Sequence, residues 1–179
     1  GNGFANGYRG KESSGTGLGM EWDFIIVHES AHEWWGNNIT TKDLADMWVH
    51  ESFANYAEGL YTECLFGKEA GARYIVGNRR GIKNDRPIVP GAYGVNAQGS
   101  GDMYPKGGQM LHTIRQLGAD DAKWRDILRG LNATFRHRTV DHVERAGETN
   151  PIEQCSVVGH EDDGAGEGVE GRFQLLDRG

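Results

Sequence analysis

The segment from residue 22 to residue 35 constrains the fold of this 179-residue chain more than any other. It reads WDFIIVHESAHEWW, contains no glycine or proline, and is followed by Gly-Asn-Asn at residues 36–38, a typical end for a helix. The pattern predicts a buried helix. Because His28 and His32 are four residues apart, both imidazoles lie on one face of that helix.

His28, Glu29 and His32 form the pattern HExxH within this predicted helix. Two imidazoles on one face can bind a single metal ion, and the intervening glutamate lies about 100° round the helix, close enough to act as a general base. Zinc is the expected ion, one per chain, because it suits nitrogen-rich sites that keep an open position. Such a site needs a third protein ligand.

Glu51 can supply the third ligand. Eighteen residues separate it from His32, enough for a helix end, a turn and a second helix that brings the carboxylate back to the histidine pair. Trp48 and Ala54 make the surrounding helix face apolar, and a buried carboxylate is costly unless it is paired or binds a metal. The alternatives are a surface glutamate and two ordinary core histidines.

Two neighbours of Glu51 on the second helix are also of interest. His50 points about 100° away from Glu51, so we do not expect it to bind the metal. Glu58 follows Glu51 by seven residues, which is two helical turns, and lies on the same face. It could orient a metal ligand, and the alternative is a solvated helix glutamate.

The remaining pattern predicts a chain made mainly of helices. The second helix covers about residues 43–65, and three more cover about 68–83, 104–117 and 120–135. In the last of these, Trp124, Ile127, Leu128 and Leu131 have the i, i+3, i+4, i+7 spacing of a buried helix face. Residues 85–101 are rich in Gly and Pro and are predicted to form a loop.

Composition excludes several classes of protein. The net charge of −7 argues against nucleic acid as a partner. The longest strongly apolar run, residues 24–27, is far short of the roughly 20 residues that a membrane span needs, so no membrane helix is expected. Two cysteines provide no disulfide framework, and nothing in the chain indicates a compartment.

Glycine, 28 of the 179 residues, is frequent near both ends. We expect a single domain over residues 1–179, with a Gly-rich lead-in at 1–19, a metal-binding helical core at 20–140 and a weakly structured tail at 141–179.

These motifs resemble the M1 aminopeptidase family of gluzincin metallopeptidases, which includes aminopeptidase N and leukotriene A4 hydrolase. The family shows HExxH-x-W-x-G-N, then V/I-T, then the ligand glutamate in W-L-N-E-G. This chain has HESAHEWWGN at 28–37, Ile-Thr at 39–40 and WVHESFA at 48–54. It departs from the family at His50, where the pattern has Asn, and at Ser52, where it has Gly.

The resemblance implies a mainly α, thermolysin-like helical subdomain, with an HExxH helix, a Glu-ligand helix and little or no β-sheet. It implies a zinc metallopeptidase in which His28, His32 and Glu51 bind zinc and Glu29 is the general base. MYPKGG at 103–108 resembles the family segment Y-x-K-G, which implies that Tyr104 stabilises the oxyanion formed during hydrolysis. Lys106 is expected to have a structural role.

The family also carries a G-x-M-E-N strand whose glutamate binds the amino terminus of the substrate. Residues 19–22, GMEW, are not expected to be that strand because they directly precede the first helix. The chain is therefore expected to be the zinc-bearing part of a larger peptidase. Three functions stay open: a peptidase of aminopeptidase descent with relaxed or endopeptidase specificity, a non-catalytic zinc-binding fragment, or a small-molecule hydrolase. A peptide is the expected substrate, and self-association through exposed apolar surface is also expected.

Overall fold

A computed structural model describes residues 11–140, and five α-helices make up half of this part of the chain. They are α1 (Phe24–Ala31), α2 (Trp48–Phe66), α3 (Lys68–Gly77), α4 (Pro105–Gly118) and α5 (Asp121–Thr134). Two three-residue strands, β1 (Ile39–Thr41) and β2 (Arg138–Val140), pair in parallel with Ile39 opposite Arg138. Short 3-10 turns cover Leu18–Met20, Leu44–Asp46, Asn78–Gly81 and Gly101–Met103. The predicted mainly helical fold with little β-sheet is confirmed.

The first helix is shorter than the predicted 22–35. Asp23 caps its start by accepting a hydrogen bond from the Ile25 amide. After residue 31 the backbone changes to the tighter bonding of a 3-10 turn, and Trp35 turns away to stack on Phe53 with ring centroids 4.0 Å apart. His32 keeps helical backbone angles, so His28 and His32 stay on one face.

The start of the second helix was predicted too early. Asp43 caps the 3-10 turn at 44–46 through the Ala45 amide, and α2 begins only at Trp48. Asp46 is fully buried and accepts a hydrogen bond of 3.1 Å from the Tyr93 hydroxyl. Packing of the 85–101 loop against residues 43–46 therefore favours a separate turn here.

The third helix was predicted to run to residue 83, but α3 ends at Gly77. Asn78 is buried and accepts a hydrogen bond of 2.9 Å from the Ser13 hydroxyl. A Cβ at Gly77 would overlap the backbone of Ser14. The described end of the Gly-rich lead-in thus packs onto the end of α3, whereas the predicted tail at 141–179 lies outside the described residues.

The core lies around α2, which packs against α1, α3 and α4. One buried cluster joins α2 to α5 and consists of Trp22, Tyr56, Tyr74, Ile75, Leu111 and Trp124. A second surrounds the strands and consists of Trp35, Ile39, Val49, Phe135 and Val140. The predicted apolar face of α5 packs against these two clusters, so that prediction is confirmed.

Several apolar side chains on α4 face solvent, namely Met110, Ile114 and Leu117. Self-association through such a surface stays a prediction. Across residues 11–140, every helix is too short or too polar to cross a membrane.

Helices α2 and α3 approach each other closely at two glycines. A Cβ at Gly71 would lie 2.6 Å from the Glu63 Cβ and 2.8 Å from the Gly59 carbonyl oxygen, both closer than atoms can pack. Gly59 in turn faces the Ile75 side chain without room for a Cβ. This contact fixes how α3 lies on the helix that carries Glu51.

We expect Gly71→Ala to lower the free energy of unfolding by about 2 kcal/mol, because the added methyl must push two backbones apart. Gly130→Ala is the matched control, since Gly130 lies inside α5 with no atom within 4 Å of its Cβ position. It should raise the free energy of unfolding by about 0.5–1 kcal/mol through helix propensity. Urea unfolding followed by circular dichroism measures both, and equal effects would contradict the close approach.

Candidate metal centre

Helix α1 brings the two histidine rings together, with centroids 4.9 Å apart and planes at 84°. The Nδ1 of His28 donates to Glu58 Oε1 over 2.8 Å, and the Nδ1 of His32 donates to the Trp35 carbonyl over 3.0 Å. Each ring is therefore held through Nδ1, which leaves Nε2 as the atom available to a metal.

Helix α2 places Glu51 opposite both rings. Its Oε2 lies 3.1 Å from His28 Nε2 and 3.5 Å from His32 Nε2. Ligand atoms of a tetrahedral zinc ion with bonds of about 2.0–2.1 Å are about 3.3 Å apart. The spacing and the donor set, two imidazoles and a carboxylate, fit zinc with one position left open.

Glu29 lies beside the two histidines, close enough for its carboxylate to reach a metal ion held there. One of its carboxylate oxygens lies within 4.8 Å of the ligand atoms of His28 and His32. Its side chain is exposed and lines the same cavity as the histidines. The predicted candidates Glu29, His28, His32 and Glu51 are thus all brought to one place.

Glu58 is buried beneath His28, with 2% of its surface exposed. Besides His28, it accepts hydrogen bonds from Asn55 Nδ2 at 3.3 Å and from the Tyr74 hydroxyl at 2.7 Å. The solvated-glutamate alternative is therefore wrong, and the contact needed to orient a ligand is present.

The two residues that we did not expect at the metal are engaged elsewhere. His50 Nε2 accepts a hydrogen bond of 3.0 Å from the amide of Thr41, the last residue of strand β1. Lys106 Nζ donates to Asn84 Oδ1 over 3.0 Å and so ties the start of α4 to the preceding loop.

Tyr104 reaches the centre from the start of α4. Glycines at 107 and 108 let α4 approach α2, since a Cβ at either would overlap the side chain of Ser52 or Asn55. The Tyr104 ring stacks on His28, with centroids 5.8 Å apart and planes at 23°. The side chain is 37% exposed, so its hydroxyl is accessible from the cavity that it lines.

The charged groups of the centre change one another's pKa. Burial lowers the pKa of His28, but hydrogen bonds to Glu51 and Glu58 outweigh it and raise that pKa to about 9. Burial likewise opposes the charge on Glu51, yet both histidines lower its pKa to about 2. Burial, with Glu51 nearby, raises the pKa of Tyr104 to about 12, so its hydroxyl keeps its proton at neutral pH.

The centre opens into a cavity of about 600 Å³, within the usual range for ligand pockets. Phe24 and Ile25 provide apolar lining, and Asn78 and Asp85 provide polar groups. There is thus room for a ligand beside the histidines.

Comparison with known proteins decides the family. A sequence profile described as "Peptidase family M1 domain" matches residues 19–145. The chain belongs to peptidase family M1. The predicted resemblance is therefore confirmed.

Named relatives agree with the M1 assignment. Aminopeptidase N of Lactococcus lactis subsp. lactis is 26% identical over 81% of this chain and 18% of its own length. Aminopeptidase N of Lactobacillus helveticus is 30% identical over 63% of this chain and 14% of its own length. A solved M1 zinc metallopeptidase from Deinococcus radiodurans is 30% identical with a TM-score of 0.56, covering 66% of this chain and 27% of that one. This M1 chain thus spans less than a fifth of these curated relatives and about a quarter of the solved structure.

Sequence reasoning missed two groups that support the centre. Neither Tyr74, within the predicted third helix, nor Asn55, within the predicted second helix, was identified as a functional residue. The one available signal for Tyr74 was that a buried tyrosine hydroxyl usually finds a polar partner. Identifying that partner required the packing of α3 on α2.

The metal-free protein should be more stable near pH 6 than near pH 9.5. The pKa of His28 is raised from 6.5 to about 9. Its contribution to the free energy of unfolding is therefore complete below pH 6.5 and is lost as the pH rises through 9. We expect a loss on the order of 2 kcal/mol, measured by urea unfolding in the presence of a chelator.

Glu51 produces the opposite dependence at acid pH. Its pKa is lowered from 4.5 to about 2, so its contribution to the free energy of unfolding is present above pH 4.5 and is lost as the pH falls through 2.

His28→Asn is the control for the alkaline effect, and it should remove most of the stability loss between pH 6 and pH 9.5. Equal stability of the unsubstituted chain at pH 6 and 9.5 would contradict this arrangement of charges.

Proposed function

We propose that this M1 chain carries the centre for zinc-dependent hydrolysis of peptide bonds, with His28, His32 and Glu51 as the zinc ligands. The observation that supports this most strongly is the spacing of the three ligand atoms at 3.1 and 3.5 Å around Glu51 Oε2. A mutant of the similar M1 zinc metallopeptidase from Deinococcus radiodurans is described as bound to a Tyr-Ser-Ala substrate, which also supports a peptide as substrate.

Zinc, when bound, supplies Lewis acidity that polarises the scissile carbonyl and makes a water molecule more acidic. Glu29 takes a proton from the attacking water and later delivers it to the leaving amine. Tyr104 donates a hydrogen bond to the oxyanion that develops on the carbonyl oxygen. A phenol hydroxyl keeps its proton at neutral pH and can therefore donate this hydrogen bond.

We propose aminopeptidase specificity on the strength of the aminopeptidase relatives, with endopeptidase or relaxed specificity as the alternative. Within residues 11–140, the GMEW segment lies in a 3-10 turn and the turn before α1, and it forms no strand that could hold an amino terminus. Amino-acid amides with a free amino group, compared with internally quenched N-blocked peptides, distinguish the two specificities.

Glu29→Gln is expected to retain about one zinc per chain and to lower kcat by roughly 10²–10⁴, because the amide cannot take a proton. His32→Ala should lose both zinc and hydrolysis. Elemental analysis after gel filtration and a peptide-hydrolysis assay measure the two effects. Full activity in Glu29→Gln would refute the general-base role, and absence of zinc from the unsubstituted chain would refute the metal centre.

Tyr104→Phe is expected to lower kcat by roughly 10²–10³ and to change KM little, because the hydroxyl contact strengthens only in the transition state. Tyr61→Phe is the matched control, since Tyr61 is a comparably exposed tyrosine on α2 that packs against Trp22. It should leave both constants unchanged. A rise in KM with unchanged kcat in Tyr104→Phe would mean that the hydroxyl binds substrate only.

A further inference from the structure

We infer that Tyr74 is a positioning residue of the metal centre, whose hydroxyl holds Glu58 so that Glu58 can hold the imidazole of His28. The inference rests on the proposed function, in which His28 is a zinc ligand. Tyr74 itself lies on α3 and is two hydrogen bonds away from that ligand.

The two oxygens of Glu58 have different partners. Tyr74 donates to Oε2 over 2.7 Å, whereas His28 Nδ1 donates to Oε1 over 2.8 Å. Asn55 Nδ2 also donates to Oε1, over 3.3 Å. Among the residues that the structure describes, Tyr74 is thus the donor that fixes Oε2, and this fixes the plane of the carboxyl group that His28 contacts.

Burial makes the Tyr74 hydrogen bond hard to replace. Tyr74 is 0% exposed and Glu58 is 2% exposed, so this hydrogen bond is shielded from bulk water. A buried carboxyl oxygen without a donor costs about 1–3 kcal/mol or more in water-excluded surroundings. If the phenol is removed, Glu58 lowers this cost by turning Oε2 toward another donor, and the bond to His28 then lengthens or bends.

The direction of the Tyr74 hydrogen bond is defined. Burial raises the pKa of Tyr74 well above its usual range, and Glu58 raises it further, so the phenol keeps its proton. The close approach of α2 and α3 at Gly59 and Gly71 holds the Tyr74 ring in the core cluster next to Trp22. The hydroxyl therefore donates its proton toward Glu58 on α2.

The expected loss of zinc affinity on removing the Tyr74 hydroxyl depends on how many contacts separate Tyr74 from the metal. Removing a direct partner of a ligand imidazole typically lowers metal affinity by about 10–100-fold. Tyr74 is one contact further away, so we expect Tyr74→Phe to weaken zinc binding by roughly 3–10-fold. Tyr56→Phe is the matched control, because Tyr56 is buried in the same cluster but its hydroxyl accepts from Trp124 Nε1 at 2.9 Å, away from the centre.

The test measures the zinc dissociation constant of the full 179-residue chain by competition with a fluorescent chelator. Tyr74→Phe should raise the constant by the stated factor and Tyr56→Phe should leave it unchanged, even if both lower the stability of the metal-free chain. The visible absorption of the Co²⁺-substituted protein should also change in Tyr74→Phe alone. Equal constants and spectra in both variants would overturn the inference.

A double variant distinguishes an effect of Tyr74 on zinc binding that acts through Glu58 from a nonspecific loss of core packing. If Tyr74 acts through Glu58, then adding Tyr74→Phe to Glu58→Gln should weaken zinc binding less than twofold. A full and independent loss in the double variant would overturn the inference. Failure of the unsubstituted chain to bind zinc would instead overturn the proposed function.

A measurement on the unsubstituted chain covers the case in which Tyr74→Phe does not fold. The hydroxyl proton of Tyr74 should give a slowly exchanging proton resonance, with cross-peaks to its own ring, that shifts when zinc is added. The Tyr56 ring protons should stay in place. A Tyr74 hydroxyl that exchanges freely, or whose resonance ignores zinc, would overturn the inference.

Discussion

The requirement to pair buried charges between α1 and α2 governs this structure. Helix α2 carries Glu51, Asn55 and Glu58 on one face, and α1 presents His28 to that face. Burying two carboxyl groups beside an imidazole is unfavourable unless each polar atom has a partner. Helices α1, α2 and α3 each supply such a partner for Glu58, through His28, Asn55 and Tyr74.

Much of this centre could be predicted from the sequence because its spacing is local. His28 and His32 share a face by helical periodicity alone, and Glu58 follows Glu51 at two turns on a helix whose existence was clear. The ends of the elements were less predictable. Trp35 leaves the first helix to stack on Phe53, a tertiary contact that no pattern within residues 22–35 reveals.

Two tyrosines show that prediction of the site from the sequence also fails where a residue's role depends on a tertiary contact. Tyr104 was identified through a family resemblance, since from its spacing it could equally cover the core at the start of a helix. Tyr74 was not identified from the sequence, because its partner Glu58 belongs to another helix. Two glycines, at 59 and 71, set the approach of those helices and so determine which side chains meet.

The most direct test of this account is a crystal structure of the full chain grown with zinc, with anomalous data collected at the zinc edge. We expect one strong anomalous peak, bound by His28 Nε2, His32 Nε2 and Glu51 at about 2.0–2.2 Å, with the Glu58 contacts to His28 and Tyr74 unchanged. A peak elsewhere, or a zinc ion bound without Glu51, would contradict the account.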